Sequence, residues 1–299
     1  MKSSKTSPLW SIVGPGIFIF LWSTGFIGAK WGLPYAEPFT LLSMRFAIAA
    51  TIFTILALVT GAPWPKTRRE YVDSIVVAVF IHGIYLTGVF WAINQGTPAW
   101  VAGLIAGSQP LLASILAGPT LGEKITPRQW CGFALGFLGV ATVVWRGGDG
   151  GSDIGPGIGI AVTVAGLIAL TFGTLYQKRH GGSTDLRTGQ AVQQITLAVI
   201  LGIFALSFET NEIRWTPDFL FALGWLSLVL STGMFSLFFI MLRRGTASTV
   251  SSLFFLVPPL TALEAHLLFG ETLGGRDIAG MALAAAGVAL VTWRAKAPA

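Results

Sequence analysis

The chain has 299 residues, of which 53% are hydrophobic and 11% charged, with a formal net charge of +6 and a mean hydropathy of +0.72. Soluble domains carry about 25% charged residues, and no polar stretch here is longer than a loop, so a soluble enzyme and a nucleic-acid-binding module are both excluded. Cys131 is the lone cysteine, which leaves no intrachain disulfide and no thiolate metal site.

Apolar runs longer than about 18 residues recur along the whole chain and predict a polytopic all-α membrane protein. Ten spans are expected, at 9–31, 38–60, 72–95, 99–119, 128–146, 156–178, 188–208, 218–242, 247–269 and 277–294. The first follows Lys2 and Lys5, exceeds a signal-peptide core and lacks a small-residue cleavage site, so it reads as a retained span. With the N-terminus inside, fourteen Lys and Arg residues fall on one side and four on the other. That bias places both termini in the cytoplasm.

A duplication organises these spans. Gly122 to Arg146 and Gly270 to Arg294 match at an offset of 148 residues, with 12 of 25 positions identical, among them Glu123/Glu271, Gly132/Gly280 and Trp145/Trp293. An offset of half the chain predicts two copies of one unit, 1–150 and 151–299. Five spans is an odd number, so the copies are expected to be inverted in the bilayer, an architecture common among secondary transporters.

Spans five and ten carry small residues at i, i+4 and i+7 (Gly132, Gly136, Gly139; Gly280, Ala284, Gly287), which predicts tight scaffold packing. Spans four and nine carry mid-helix prolines, Pro110 after Gln109 and the pair Pro258-Pro259. Proline frees the carbonyl four residues earlier. A freed carbonyl at membrane depth needs protein or a wet cavity to meet it, so these kinks are candidate hinges lining a midplane site.

Polar groups within spans supply the candidate ligands. His82 and Tyr85, three apart in span three, share a face; an interhelical hydrogen bond is the competing reading for His82. Trp22 and Ser23 in span one, Gln109, Thr171 in span six, Ser252 and Phe255 complete the expected binding set. A zwitterion could place its carboxylate near Gln109 and Ser23, and its ammonium against freed carbonyls or the faces of Trp22 and Tyr85. An apolar side chain would then rest on Phe255. Arg45 and Glu264 are candidate coupling charges, although both lie near span ends and could reach interfacial water. Trp100, near a span end, reads as an interfacial belt residue. HExxH, GxSxG and Walker A motifs are absent, and no cofactor or metal is expected.

The opening WSTGFIGAKWG (22–32), Pro38 with Arg45, Gln109-Pro110, and Leu121-Gly122-Glu123 before a Gly-rich span resemble the EamA family of the drug/metabolite transporter superfamily. The second half, with Pro258-Pro259, Gly270-Glu271 and Trp293, resembles its second repeat. Within that family the chain is most similar to the YddG-type exporters of aromatic and other neutral amino acids. The resemblance implies export of amino acids or small metabolites across the bacterial cytoplasmic (inner) membrane by alternating access, with a cavity between the halves and spans five and ten off the path. The expected partners are a small-molecule substrate and membrane lipid, with the chain itself a monomer. The alternative is a membrane-embedded enzyme acting on a lipid or isoprenoid substrate, for which the sequence supplies few convergent acid, base or metal groups.

Overall fold

A computed structural model of the protein describes residues 10–113, 116, 126–144, 156–182, 184–244, 250, 253–270 and 274–292. Among these residues the secondary structure is helical throughout. We number the helices α1 (Trp10–Gly32), α2 (Pro38–Val59), α3 (Arg68–Asn94), α4 (Ala99–Ala113), α5 (Pro127–Val144), α6 (Pro156–His180), α7 (Leu186–Phe208), α8 (Pro217–Arg244), α9 (Val257–Phe269) and α10 (Gly275–Thr292). Six of them, α1, α2, α3, α6, α7 and α8, contain segments long and apolar enough to cross a membrane; α4 and part of α10 form shorter apolar helices. The protein is a multi-pass membrane protein. Its outer surface agrees, since Leu58, Val59, Leu206 and Phe208 are exposed although apolar, as a lipid-facing surface requires.

The spacing of 148 seen in the sequence recurs in the helix boundaries. It relates Gly32 to His180, Pro38 to Leu186, Pro127 to Gly275 and Val144 to Thr292, each pair being matching helix ends. It also relates two irregularities. Within α3 the residues Ala78–Leu86 wind as a π-helix, and within α8 so do Trp225–Met234. Such wide turns are rare and concentrate at functional sites. α4 breaks at Ser108 (φ −82, ψ −1), and the position 148 residues on, Leu256 (φ −88, ψ −9), ends the 3₁₀ turn Leu253–Leu256 that precedes α9. Each break lies two residues before a proline, where the missing N–H cannot support a continuous helix.

Three contacts hold the helices in place. The α4 and α9 backbones cross where Gly107 meets Pro258, and a Cβ at Gly107 would overlap the proline ring and come 3.1 Å from the Phe254 carbonyl oxygen. α6 backs onto α3 through Gly166, whose added Cβ would lie 3.3 Å from Tyr85 Cα. α5 and α10 pack on each other so closely that a Cβ at Gly287 would sit 2.5 Å from both the Gly132 carbonyl oxygen and the Gly136 nitrogen. The last contact explains the small-residue stripes: dispersion and backbone approach, rather than burial from water, hold helices together in lipid. Glu123, Glu271, Trp145 and Trp293 of the duplicated stretch lie outside the described residues.

The ends of α2 and α7 show how the halves meet. The Glu209 carboxylate, which follows α7, accepts from the backbone N–H groups of Phe39 and Thr40 and from Thr40 Oγ, each at 2.7 Å. It thereby caps the start of α2, whose own N-cap residue Glu37 makes no side-chain cap bond. Glu37 instead accepts from Thr210 N and Oγ, both at 2.7 Å.

Candidate functional site

The site is built around Trp22, which is 3% exposed. Its ring lies 4.4 Å from Phe254, 5.4 Å from Phe18, 5.5 Å from Phe235 and Phe238, and 6.3 Å from the stacked Tyr85. α1, α3, α8 and the turn before α9 each contribute a ring, so the cluster joins both halves. Tyr85 is turned inward because the glycine face of α6 occupies the other side of the π segment. One turn away along α3, His82 sets its ring 4.2 Å from Phe235. It is fully buried, and neither ring nitrogen has a hydrogen-bond partner; the Gln193 side chain of α7 lies toward it without hydrogen-bond geometry.

Arg45 departs from the sequence expectation. It is buried within the protein, at 1% exposure, donating from Nε to Ser231 Oγ at 2.7 Å. Its guanidinium sits 5.6 Å over Phe46 and 5.8 Å over Phe90. No carboxylate among the described residues pairs with it. Glu264 departs as well. It reaches inward from α9 and accepts from Ser23 Oγ at 2.8 Å, while its Oε2 has no partner. The Ser23 hydroxyl has one proton and two acceptors at 2.8 Å, Glu264 Oε1 and the Phe20 carbonyl of its own helix, so it is not a free donor for a substrate carboxylate.

The remaining sequence candidates divide. Gln109 is fully buried at the break in α4, and both atoms of its amide are without partners. Thr171 is satisfied within α6, donating to the Leu167 carbonyl at 2.8 Å, as Thr163 and Thr174 do to theirs; such back-bonding leaves no free donor. Pro110 and Pro258 are buried at the two breaks, while Pro259 is exposed. Ser252 lies outside the described residues, and so does the side chain of Phe255. Trp100 is buried, 8% exposed, beside Leu104 and Leu167 rather than standing in an interfacial belt.

Sequence reasoning missed one feature. Gln190, Gln193 and Gln194 occupy i, i+3 and i+4 of α7, all nearly fully buried, and each has a side-chain atom without a partner. Three amides on one face of an apolar helix were the available signal. Gln190 and Gln193 also line a small opening, together with Asp73, Gln177, Asp185 and Arg243, near the basic end of the bundle. At its rim the Arg187 guanidinium, 2.9 Å from Asp185, holds that carboxyl below the usual carboxylate range. Among the described residues no three His, Cys, Asp or Glu side chains group as metal ligands would.

Rings from both halves meet at Trp22, and His82, with its unpaired nitrogens, stands against one of them. The profile of the EamA-like transporter family matches the chain twice, over residues 10–145 and 157–293. The chain belongs to this family. Among EamA relatives, the uncharacterized transporter YvbV of Bacillus subtilis is 25% identical over 93% of this chain and 90% of its own. A probable terminal-alkyne amino-acid exporter of Streptantibioticus cattleyicolor is 25% identical over 98% and 95%. A probable amino-acid metabolite efflux pump of Escherichia coli is 24% identical over 91% of each chain. A solved crystal structure superposes with a TM-score of 0.71 at 21% identity, covering 94% of this chain and 96% of that one, and shares the fold.

Proposed function

We propose that this EamA protein is a secondary exporter of aromatic or other neutral amino acids, or of closely related small metabolites, working by alternating access across the bacterial cytoplasmic membrane. The observation that carries this reading is the Trp22 ring cluster, where helices of both halves meet beside buried polar atoms that have no partner in the protein. Aromatic walls with a few convergent polar groups are what a small amphipathic ligand needs. The names of the Streptantibioticus and Escherichia relatives support the amino-acid class.

In this reading all ten helices, the four shorter ones included, cross the bilayer as two inverted five-helix repeats, 1–150 and 151–299, with both termini cytoplasmic. The opening beside Arg243 then faces the cytoplasm, as an exporter loading from inside requires. Trp22, Tyr85, His82 and Gln109 contact the substrate. The breaks at Pro110 and Pro258 are the bending points as the repeats rock, since freed carbonyls and absent N–H groups make those turns the softest in the bundle.

Counterflow of labelled amino acids into proteoliposomes, with and without a proton gradient, tests the proposal. Saturable exchange of at least one neutral amino acid is expected. W22A should reduce it by about tenfold or more, since the lost apolar contact of one aromatic wall is worth roughly 1.5–3 kcal/mol. Exchange of another metabolite class with no amino acid accepted would sink the substrate assignment.

A further inference from the structure

The one charged side chain buried to near completeness among the described residues is Arg45. It makes a single hydrogen bond, to a neutral serine, and lies between two phenyl rings. A guanidinium has five N–H donors in a planar fork. A cation at membrane depth is costly, and where one is kept it faces a partner or a transported species. The rings and Ser231 supply only part of that compensation.

The groups around Arg45 lack partners too. His82 has both ring nitrogens unpaired, Ser227 stands one turn before Ser231 on α8 with its hydroxyl unpaired, and Gln193 approaches His82 from α7. Arg45 on α2, His82 on α3 and Ser231 on α8 thus bring polar groups together in the apolar interior, and no carboxylate among the described residues pairs with the guanidinium. The two π segments make the convergence possible, because they carry His82 on one side and Ser227 with Ser231 on the other.

We infer that Arg45, assisted by Ser231 and His82, is the binding site for a carboxylate of the transported molecule, so the protein recognises organic monoanions and zwitterions by their acid group. A carboxylate fits better than a phosphate. Its two oxygens match the guanidinium fork, and its single charge matches a single cation, whereas a phosphate monoester carries close to two negative charges. Phe46 and Phe90 beside the fork, and Phe235 against His82, favour an apolar remainder on the ligand. This assignment moves acid recognition away from Ser23, which Glu264 already occupies, and rests on the transport reading only for what happens after binding.

The test compares phenylalanine, 3-phenylpropionate, phenylalanine methyl ester and phenethylamine, read both as competitors in counterflow and as stabilisers of the purified protein against heat. The two acids are expected to bind and the ester and amine to bind about tenfold to a hundredfold more weakly, the range of a lost charge-assisted hydrogen bond. R45Q should abolish the preference and R45K restore part of it; because the ligand comparison is made on the unaltered protein, it holds even if R45Q folds poorly. Equal binding of acid and ester, no binding of either acid, or an acid preference that survives in R45Q would each overturn the assignment. Acid-dependent stabilisation without flux would leave the anion site standing and bring down the transport reading instead.

Discussion

At one end of the bundle the connection from α1 to α2 meets the connection from α7 to α8; at the other, the repeat-related connection from α6 to α7 meets the one from α2 to α3. The first pair is laced across the halves. Glu209 takes three hydrogen bonds from Phe39 and Thr40, Glu37 takes two from Thr210, and Arg214 bonds the carbonyls of Tyr35 and Pro34. At the second end two bonds cross the halves among the described residues: Thr188 Oγ, in the first turn of α7, to the Pro63 carbonyl at 2.9 Å, and the Tyr176 hydroxyl to Asp73 Oδ1 at 2.7 Å. Asp185, which corresponds to Glu37, is spent instead on Arg187 at the start of its own helix. A near-symmetric duplication has thus become an unequal pair of closures. In the proposed topology the tightly laced end is the outer one.

The comparison can be broken from its strong side first. E209A removes the cap of α2 together with a charge-assisted cluster and should cost about 2 kcal/mol; hydrogen exchange at the Phe39 and Thr40 amides should accelerate, and unchanged exchange there would refute the latch. T210V should cost about 1 kcal/mol, the worth of one hydrogen bond, and loosen the same end without exposing α2. T188V, the matching lesion at the opposite end, should cost about 0.5–1 kcal/mol and leave exchange at Phe39 and Thr40 untouched. The smallest effect concerns Asp185. Its carboxyl titrates below the usual range when folded, chiefly through the hydrogen bond from Arg187. Its contribution is therefore present above the unfolded pKa and fades as pH falls below about 4. D185N should lower the melting temperature slightly at pH 7, and the gap from the parent protein should close in acid.

Membrane character was legible in composition because lipid-facing helices cannot disguise themselves. The tight packing of α5 and α10 was legible too, though not that each is the other's partner, since close backbone approach demands glycine at fixed spacing, and Gly132, Gly136 and Gly287 stand where that spacing puts them. The π segments were not, because in a continuous apolar run a wider turn leaves no periodic trace. Arg45 was misjudged for a different reason. Its seven-residue distance from Pro38 suggested reach to water, but burial depends on Ser231, Phe46 and Phe90, of which only Phe46 is near in sequence. The Ser23–Glu264 bond joins residues 241 apart, a pairing that a single sequence cannot announce.

The glycine contact between α5 and α10 also sets a clock. α5 leaves the ribosome with part of its small-residue face uncovered, and the surface that fits it belongs to α10, which is made later. At 5–20 residues per second, synthesis of the intervening chain takes on the order of ten seconds. Throughout that interval a narrow backbone groove faces lipid, open to any other membrane helix with glycines in register. The order of helices in the chain thus obliges α5 to wait for α10 before this contact is closed.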